Sequence, residues 1–153
     1  MAVELRELTD GVRDDLRGVR LAPGQERFVS SVADSLEEAA EHPEGKPWFR
    51  AVYADGVVAG FVMLSWDVEP APPEIHGPWF LWKLIVDRDR QREGLGRAIV
   101  LRVADLVREQ GADALLTSYV DEPGGPGPFY RRLGFVPTGE VDDQGEIILR
   151  LPL

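Results

Sequence analysis

An almost unbroken apolar segment at residues 57–66 constrains the fold of this chain more than any other feature. A second strand-like segment, residues 48–53, precedes it, and the dipeptide Asp55-Gly56 lies between the two. Asp-Gly between two apolar segments predicts a β-hairpin with a tight turn. Because residues 57–66 do not alternate between apolar and polar side chains, both faces of this strand must be covered. The segment therefore predicts a central strand of a sheet that has layers on both sides.

Helical and strand-like segments alternate along the rest of the chain. Before the hairpin we predict a strand at residues 3–8 and helices at 10–20 and 24–42. After it we predict a strand at 79–86, a long helix at 94–110 and a strand at 114–120. A short helix that ends at residue 133 and a last hairpin at 135–151 complete the chain. Thr9 or Asp10 is expected to cap the first helix. Strands that alternate with helices and end in a hairpin predict a mixed α/β sheet. No repeat or linker divides the chain, which predicts a single domain over residues 1–153.

The second predicted helix has an apolar face and an acidic face. Its apolar side chains are spaced as one face of a helix requires, and they are Phe28, Val29, Val32, Ala33, Leu36 and Ala40. The opposite face carries carboxylates, among them Glu26 and Asp34. Proline at residue 43 is expected to end this helix.

The composition excludes several kinds of site. The 153-residue chain has no cysteine, which rules out a disulfide scaffold, a thiolate nucleophile and a cysteine zinc site. Its two histidines are His42 and His76, too few for a His-rich metal site. We therefore predict no metal.

Charge and hydropathy limit the partners of the chain. No apolar segment approaches the roughly 20 residues that a membrane-spanning helix needs, and residues 1–10 carry charges where a signal peptide is apolar. No membrane partner is expected, and a cytoplasmic protein is. The formal charge of −10 disfavours nucleic acid binding. It favours cationic ligands, since an acidic surface attracts them, although such a charge can also serve solubility alone.

A strand, a glycine-containing loop and a helix follow one another at residues 84–110. Gly94 and Gly96 lie where the amphipathic helix begins, so backbone N–H groups without helical partners meet the positive end of the helix dipole there. Glycine also lets the backbone approach a ligand closely. Arg90, Arg92 and Arg97 add positive charge nearby. These features indicate an anion site; the alternative is an ordinary loop that leads into a helix.

The spacing of the loop distinguishes between known anion-binding motifs. A Walker loop requires Lys-Ser or Lys-Thr after its last glycine, and this chain has neither. A dinucleotide fingerprint requires a third glycine or alanine where Ile99 stands, and it belongs to a first βαβ unit, whereas this loop lies mid-chain. A nucleotide-binding regulator is therefore disfavoured.

Two motifs together carry a resemblance to a known family. Gln-x-x-Gly-x-Gly at residues 91–96, five residues after Val86, resembles the coenzyme A signature of the GNAT N-acetyltransferase superfamily. Phe-Tyr-Arg-Arg-Leu-Gly-Phe at residues 129–135 is similar to the C-terminal motif of the same superfamily. The resemblance covers essentially the whole chain. It implies a mixed central sheet of about seven strands with about four helices, and a β-bulge in the strand before the coenzyme loop.

Within the superfamily, residues 23–29, 35–36 and 82–87 look most like the diamine and polyamine (spermine/spermidine-type) acetyltransferases. This resemblance implies transfer of an acetyl group from acetyl-coenzyme A to a primary amine by direct attack, with a small cationic amine as the acceptor. An aminoglycoside-like compound, an amino acid or a protein amine is the alternative acceptor. A non-catalytic acyl-coenzyme A-binding module is the alternative of another class. A monomer or a homodimer is expected.

The resemblance also assigns roles on the coenzyme side. Backbone groups of Leu84, Ile85 and Val86 are implied to hold pantetheine and polarise the thioester carbonyl, which suits a bulge because it frees ladder groups for a ligand. Tyr130 matches the tyrosine that protonates the departing thiolate, and packing beside Phe129 is the alternative. The loop residues implied to bind the coenzyme are Gln91, Arg92, Glu93, Gly94, Leu95, Gly96 and Arg97.

The acceptor side is less determined. The amine must lose a proton before it attacks, yet residues 79–86 contain no carboxylate where several relatives have one. The residues expected to bind the amine are Glu26, Asp34, His76 and Trp82, the last through a cation–π contact. The candidates for the base are Glu74 and His76 in the proline-rich loop and Glu26 and Asp34 on the second helix. Solvated surface is the alternative for each of them.

Three residues depart from the family pattern. Pro123 and Pro126 stand seven and four residues before Tyr130, where relatives often have asparagine and alanine, so an asparagine contact to the coenzyme is absent. Glu93 stands where many relatives have a basic residue. It should weaken the attraction for a diphosphate unless its side chain turns outward.

Overall fold

A computed structural model describes residues 2–153, which form seven strands and four α-helices around one sheet. In chain order the elements are β1 (Val3–Arg6), α1 (Asp10–Leu16), α2 (Val32–Glu41), β2 (Pro47–Ala54), β3 (Val57–Ser65), β4 (Phe80–Val86), α3 (Leu95–Glu109), β5 (Ala114–Tyr119), α4 (Gly127–Arg132), β6 (Val136–Val141) and β7 (Ile147–Pro152). Short 3-10 turns lie at Gln25–Arg27, Pro43–Gly45 and Arg88–Arg90. The mixed sheet and the number of helices confirm the predicted fold class.

The sheet has the strand order β1-β2-β3-β4-β5-β7-β6 and opens in its middle. Neighbouring strands are antiparallel except β4 and β5, which are parallel. These two strands pair only where Phe80 meets Leu116 and Leu81 meets Thr117. Beyond these residues they diverge, so the C-terminal part of β4 has one edge without a strand partner.

β4 contains a β-bulge at Trp82. Leu81 pairs with Leu64 and Lys83 pairs with Met63, so Trp82 is one extra residue between consecutive partners. A bulge bends the strand and disturbs the alternation of its side chains. The bulge expected in the strand before the glycine loop is confirmed.

Helices cover both faces of the sheet. α3 packs on one face through side chains such as Ile99 and Val103, whereas α1 and α2 pack on the other through Leu16 and Val32. β3 lies between these two cores, and every residue from 59 to 65 is buried. The prediction that this apolar strand is central and covered on both faces is confirmed.

Two local signals in the sequence are also confirmed. At the hairpin turn, Asp55 and Gly56 both have positive φ (51° and 83°), as a type I′ turn requires. At the start of α1, the Thr9 hydroxyl accepts a hydrogen bond from the Val12 amide at 3.3 Å. None of the helices within residues 2–153 is long and apolar enough to cross a membrane.

The predicted end of the first helix is wrong. α1 ends at Leu16 and not near residue 20. Arg20 instead bonds with residues that follow β4: its amide donates to Asp87 Oδ1 at 2.9 Å, and its carbonyl accepts from the Arg88 amide at 2.8 Å. Because Arg20 bonds with the loop after β4, its backbone groups are not available for helical hydrogen bonds.

The single helix predicted over residues 24–42 is also wrong. Gln25–Arg27 form a separate 3-10 turn, and α2 begins only at Val32. The Ser31 hydroxyl accepts a hydrogen bond from the Asp34 amide at 3.1 Å, and this N-cap starts a new helix. The break changes which side chains face the core: Ala33 and Ala40 are exposed, and the buried residues of α2 are Val32, Ser35 and Ala39.

Candidate active site

A cleft of about 900 Å³ occupies the gap between β4 and β5. Its four lining arginines lie on the loop after β4, on α3 and on α4, which we call the loop side: Arg90, Arg92, Arg97 and Arg132. Its six lining carboxylates lie on α2, on the two segments after α2 and β3, and on the β6–β7 turn, which we call the acidic side: Glu38, Glu44, Glu74, Asp142, Asp143 and Glu146. The cleft thus offers complementary surfaces to an anion and to a cation.

The glycine loop presents backbone amides to the loop side. Gly94 has a φ of 79°, and a Cβ there would meet no atom within 4 Å, so the turn opens onto free space. α3 begins at Leu95, and the Ala98 amide donates to the Gly94 carbonyl at 3.1 Å. The amides of Leu95, Gly96 and Arg97 precede this bond and therefore have no helical acceptor. Such amides at a helix N-terminus suit a phosphate group.

Gly96 also fixes the position of the loop. A Cβ at this residue would lie 3.2 Å from Cζ of Phe129 in α4, which is tighter than ordinary van der Waals contact. The start of α3 therefore packs directly on the helix that carries Tyr130. Any larger residue at this position would have to displace the Phe129 ring.

Gln91 ties the loop to the rest of the cleft. Its Nε2 donates to the Val86 carbonyl at 3.1 Å and to Gln25 Oε1 at 2.9 Å. Gln25 Oε1 also accepts from the Ala22 amide at 2.9 Å. The first residue of the Gln-x-x-Gly-x-Gly motif thus holds the loop against the end of β4 and against the 3-10 turn at Gln25–Arg27.

Glu93 does not line the cleft. Its carboxylate pairs with Arg90, whose Nε lies 3.2 Å from Glu93 Oε2. The side chain therefore turns away from the ligand space. This is the orientation in which Glu93 would not weaken the attraction of the loop for a diphosphate. Of the four arginines on the loop side, Arg92, Arg97 and Arg132 are not bound to Glu93.

The end of β4 provides a free backbone edge. Past Leu81 the strand has no partner on the β5 side, and the side chains of Leu84 and Val86 line the cleft. Ile85 points to the opposite core and is buried there. One backbone group at this edge, the Val86 carbonyl, already accepts from Gln91. The remaining outward groups can pair with an extended ligand as a neighbouring strand does.

Tyr130 lies in α4 and lines the cleft. It is 7% exposed and is held between Phe129 and Phe135, with ring centroids 5.1 and 5.3 Å away. Burial raises the pKa of Tyr130 to about 12; hydrogen bonding to Thr117 opposes that shift and the charge of Glu146 adds to it. The phenol therefore stays protonated near neutral pH and can act as a proton donor.

On the acidic side, Trp82 and Lys83 meet Glu38 of α2. Lys83 Nζ lies 3.0 Å from Glu38 Oε2, and Trp82 Nε1 donates to Glu38 Oε1 at 3.2 Å. Lys83 also contacts Ser30 Oγ at 3.3 Å. The Trp82 ring packs on Gly45, where a Cβ would lie 3.1 Å from the ring. This network fixes an aromatic surface and a carboxylate beside each other.

His76 also lines the cleft and is buried. Its Nε2 lies 3.0 Å from the Pro73 carbonyl, which can only accept, so Nε2 carries the proton. Its Nδ1 lies 3.9 Å from Glu140 Oε2, and its ring is 6.3 Å from the Phe80 ring. His76 therefore forms part of the wall where the proline-rich loop meets β4.

Of the residues expected to bind the amine, the structure brings His76 and Trp82 to the cleft. Glu26 and Asp34 are exposed and do not line it. Glu38, one helical turn after Asp34 on the same face of α2, lines the cleft instead. Within residues 2–153, no cluster of three or more histidine, aspartate or glutamate side chains could hold a metal ion.

Several residues of the site were not predicted, among them Gln25, Glu38, Arg132 and Glu146. Glu38 lies on the same helix face as Asp34, one turn later, so helical spacing could have indicated it. Arg132 lies two residues after Tyr130, inside the recognised motif. Glu146 carries no local signal, because its place depends on how β7 pairs with β5.

The chain matches the family model of the acetyltransferase (GNAT) family over residues 9–135. It therefore belongs to the acetyltransferase (GNAT) family and is an acetyl-coenzyme A-dependent N-acetyltransferase. A Bacillus subtilis (strain 168) protein named spermine/spermidine N(1)-acetyltransferase is 25% identical over 153 aligned residues, with 97% of each chain covered. The resemblance inferred from the two motifs is confirmed.

Solved structures share the fold over the full chain. The PaiA N-acetyltransferase of Thermoplasma acidophilum, crystallised in complex with coenzyme A, has a TM-score of 0.64 at 14% identity, and all of both chains is covered. An acetyltransferase from Thermus thermophilus has a TM-score of 0.69 at 19% identity, with 100% of this chain and 98% of that chain covered. These similarities establish the fold.

Proposed function

We propose that this enzyme transfers the acetyl group of acetyl-coenzyme A to a primary amine of a small cationic acceptor, a diamine or polyamine. The observation that carries the proposal is the charge distribution of the cleft, with four arginines on the loop side and six carboxylates on the acidic side. Complementary charge orients both ligands, because a diphosphate is attracted to one side and an ammonium group to the other.

On the loop side, the residues present fit the coenzyme. The amides of Leu95, Gly96 and Arg97 would bind its pyrophosphate, and Arg92 and Arg132 would add positive charge. The free edge of β4 would pair with the amide groups of pantetheine. When bound, the coenzyme supplies an activated acetyl thioester. The loop thus keeps its predicted role in coenzyme binding. Within it, Gln91 holds the loop against Val86 and Gln25, and Glu93 pairs with Arg90.

On the acidic side, carboxylates and an aromatic ring are placed to bind ammonium groups. Glu38 lies beside the Trp82 ring, whose face offers a cation–π contact. An acceptor with two or more ammonium groups can use several of the six carboxylates at once, whereas an amino acid would bring its own carboxylate among them. The name of the Bacillus subtilis relative, a spermine/spermidine N(1)-acetyltransferase, supports the same choice.

Tyr130 would donate its hydroxyl proton to the thiolate as the carbon–sulfur bond breaks. Its position in the cleft and its raised pKa keep the hydroxyl protonated near neutral pH, so a proton is available when the leaving group develops charge. General acid catalysis of this kind contributes about 10²- to 10⁴-fold to a rate. A buried tyrosine in the cleft favours a catalytic site over a passive acyl-coenzyme A-binding module.

Thiol release from acetyl-coenzyme A, measured with spermidine, putrescine, an aminoglycoside and an amino acid, tests the proposal. We expect amine-dependent release, with the highest kcat/KM for spermidine or putrescine. Preference for the aminoglycoside or the amino acid would overturn the acceptor assignment. Coenzyme binding without amine-dependent release would favour the binding module, and a melting temperature unchanged by acetyl-coenzyme A would contradict the donor site.

A matched pair of variants tests the acidic side. Glu38→Gln should raise the KM for spermidine severalfold while leaving the Kd for acetyl-coenzyme A unchanged. Glu37→Gln makes the same change of charge on an exposed neighbour outside the cleft. Equal effects of the two variants would mean that only the overall charge of the protein matters.

A further inference from the structure

Glu146 occupies a defined position at the mouth of the β6–β7 turn. Its amide donates to Asp142 Oδ1 at 2.8 Å, and its carbonyl accepts from the Asp142 amide at 2.9 Å. Its side chain reaches across to β5, where Ser118 Oγ donates to Glu146 Oε1 at 3.2 Å. The turn and the strand together hold this carboxylate in the wall of the cleft.

The groups that act on Glu146 come from α2, β4, β5 and the β6–β7 turn. Burial raises the pKa of its carboxyl, the negative charges of Asp142 and Glu38 act in the same direction, and Ser118 and Lys83 oppose them. The charge of Glu146 in turn raises the pKa of Tyr130. Glu146 is therefore close enough to interact electrostatically with the group that would protonate the thiolate.

We propose that Glu146 is the base that takes the proton from the substrate ammonium group before the amine attacks. The proposal rests on the proposed function and adds to it the residue that activates the acceptor. A carboxylate in the cleft wall, hydrogen-bonded on one oxygen and electrostatically coupled to Tyr130, has the position that such a base requires.

The other carboxylates of the acidic side are already engaged or exposed. Glu38 is bound by Lys83 and Trp82, and Asp142 Oδ1 accepts two amide bonds of its own turn. Glu44 pairs with His42 at 2.9 Å. The remaining two, at residues 74 and 143, are exposed. Glu146 differs because its carboxylate reaches across to β5 and its charge acts on Tyr130, while its Oε2 accepts no hydrogen bond from any of residues 2–153.

The proton balance of the reaction is complete with Glu146 and Tyr130. The ammonium group gives one proton to Glu146, and the neutral amine forms a bond to the acetyl carbon while the carbon–sulfur bond breaks. The sulfur takes the proton of Tyr130. The nitrogen then loses its second proton, which restores Tyr130 through solvent, and Glu146 releases its proton to solvent. One acetylated amine, one free thiol and one proton result.

Glu146→Gln tests the proposal, because glutamine keeps an oxygen that can accept from Ser118 but cannot take a proton. We expect kcat with spermidine to fall about 100-fold and the Kd for acetyl-coenzyme A to stay unchanged. With a fluorinated ethylamine, which is largely unprotonated at the assay pH and needs no base, kcat of the variant should approach that of the wild type. Glu37→Gln is the control for the change of charge and should retain the wild-type kcat.

Ser118→Ala gives a second, independent readout. It removes a hydrogen bond that lowers the pKa of Glu146, so the acidic limb of the kcat profile should move to higher pH. In Glu146→Gln the same limb should disappear. A limb unchanged in Ser118→Ala, a normal kcat in Glu146→Gln, or an equal loss with protonated and unprotonated amines would each overturn the proposal.

The two proposals can fail separately. Wild-type enzyme without amine-dependent thiol release would overturn the proposed function and this inference together. Wild-type enzyme that acetylates spermidine, with Glu146→Gln equally active, would overturn only the role of Glu146.

Discussion

Trp82 and Lys83 are consecutive residues of β4, yet both side chains bind the same carboxylate of Glu38. In a regular strand successive side chains point to opposite faces. The bulge at Trp82 removes this alternation, so both side chains lie on the face covered by α2. The bulge therefore has two effects: it shifts the register of β4 against β3 by one residue, and it places an aromatic ring and a cation together on the acidic side.

Lys83 should limit how tightly the cleft holds a cationic amine, because it already neutralises Glu38. Lys83→Met frees this carboxylate while Trp82 still holds it in place. We expect the KM for spermidine to fall by about two- to fivefold, the range of a partly exposed ion pair of up to about 1 kcal/mol. Steady-state kinetics with spermidine over a range of salt concentrations measures the effect, which should weaken as salt screens the charges.

Lys46→Met is the matched control for that variant, since Lys46 does not line the cleft and its Nζ donates to the Asp67 carbonyl at 3.3 Å. It should leave the KM for spermidine unchanged. An unchanged or higher KM in Lys83→Met would show that Lys83 assists binding of the amine.

The sequence could predict those parts of the fold and site that depend on local chemistry. The Asp55-Gly56 turn, the Thr9 cap, the apolar β3 and the loop with Gly94 and Gly96 all follow from residue type and spacing. The break between the 3-10 turn and α2 was missed because an N-cap inside an amphipathic segment competes with continuation of the helix, and the Ser31 cap prevails.

The acidic side could not be predicted because it assembles from distant segments. Glu38, Lys83 and Glu146 meet only through the bulge in β4 and the register of β7 against β5. A one-residue change in either register would move these side chains to the other face. The loop side, by contrast, comes from two short segments, residues 90–97 and α4, and each overlaps one of the two motifs, which is why the motifs were sufficient to identify it.

Tyr130→Phe should reduce turnover without affecting the coenzyme. Phenylalanine keeps the packing against Phe129 and Phe135 and removes only the proton donor. We expect kcat to fall about 100-fold, with the Kd for acetyl-coenzyme A unchanged by calorimetry. Because the pKa of Tyr130 is about 12, the wild-type rate should show no alkaline loss from this group up to about pH 10. Full turnover of Tyr130→Phe would contradict its role as the acid.

Gln25 and Gln91 should act as one unit in coenzyme binding. Gln91→Leu loosens the loop from Val86 and from the 3-10 turn, and Gln25→Leu breaks the same bond between the two side chains. Each variant should raise the Kd for acetyl-coenzyme A about fivefold, which corresponds to roughly 1 kcal/mol for a hydrogen bond. The double variant should cost clearly less than the sum of the two. Additive effects would mean that the bond between the two side chains does not hold the loop. Gln110→Leu, at the end of α3, is the control for the change of residue type.

Glu146→Gln should stabilise the protein at neutral pH while it reduces activity. The folded-state pKa of Glu146 is raised above its unfolded value, chiefly by burial, so its neutral form is the one that the fold favours. Stability from this group is fully present below the unfolded pKa of about 4.3 and is lost as the pH rises through the folded pKa. Glutamine stays neutral, so the melting temperature of Glu146→Gln should exceed that of the wild type at pH 7.5, and the difference should vanish near pH 4. If Glu146→Gln melted at a lower temperature than the wild type at pH 7.5, the charged carboxylate would stabilise the turn. Glu146 would then not carry the stability cost that is expected of a residue kept for catalysis.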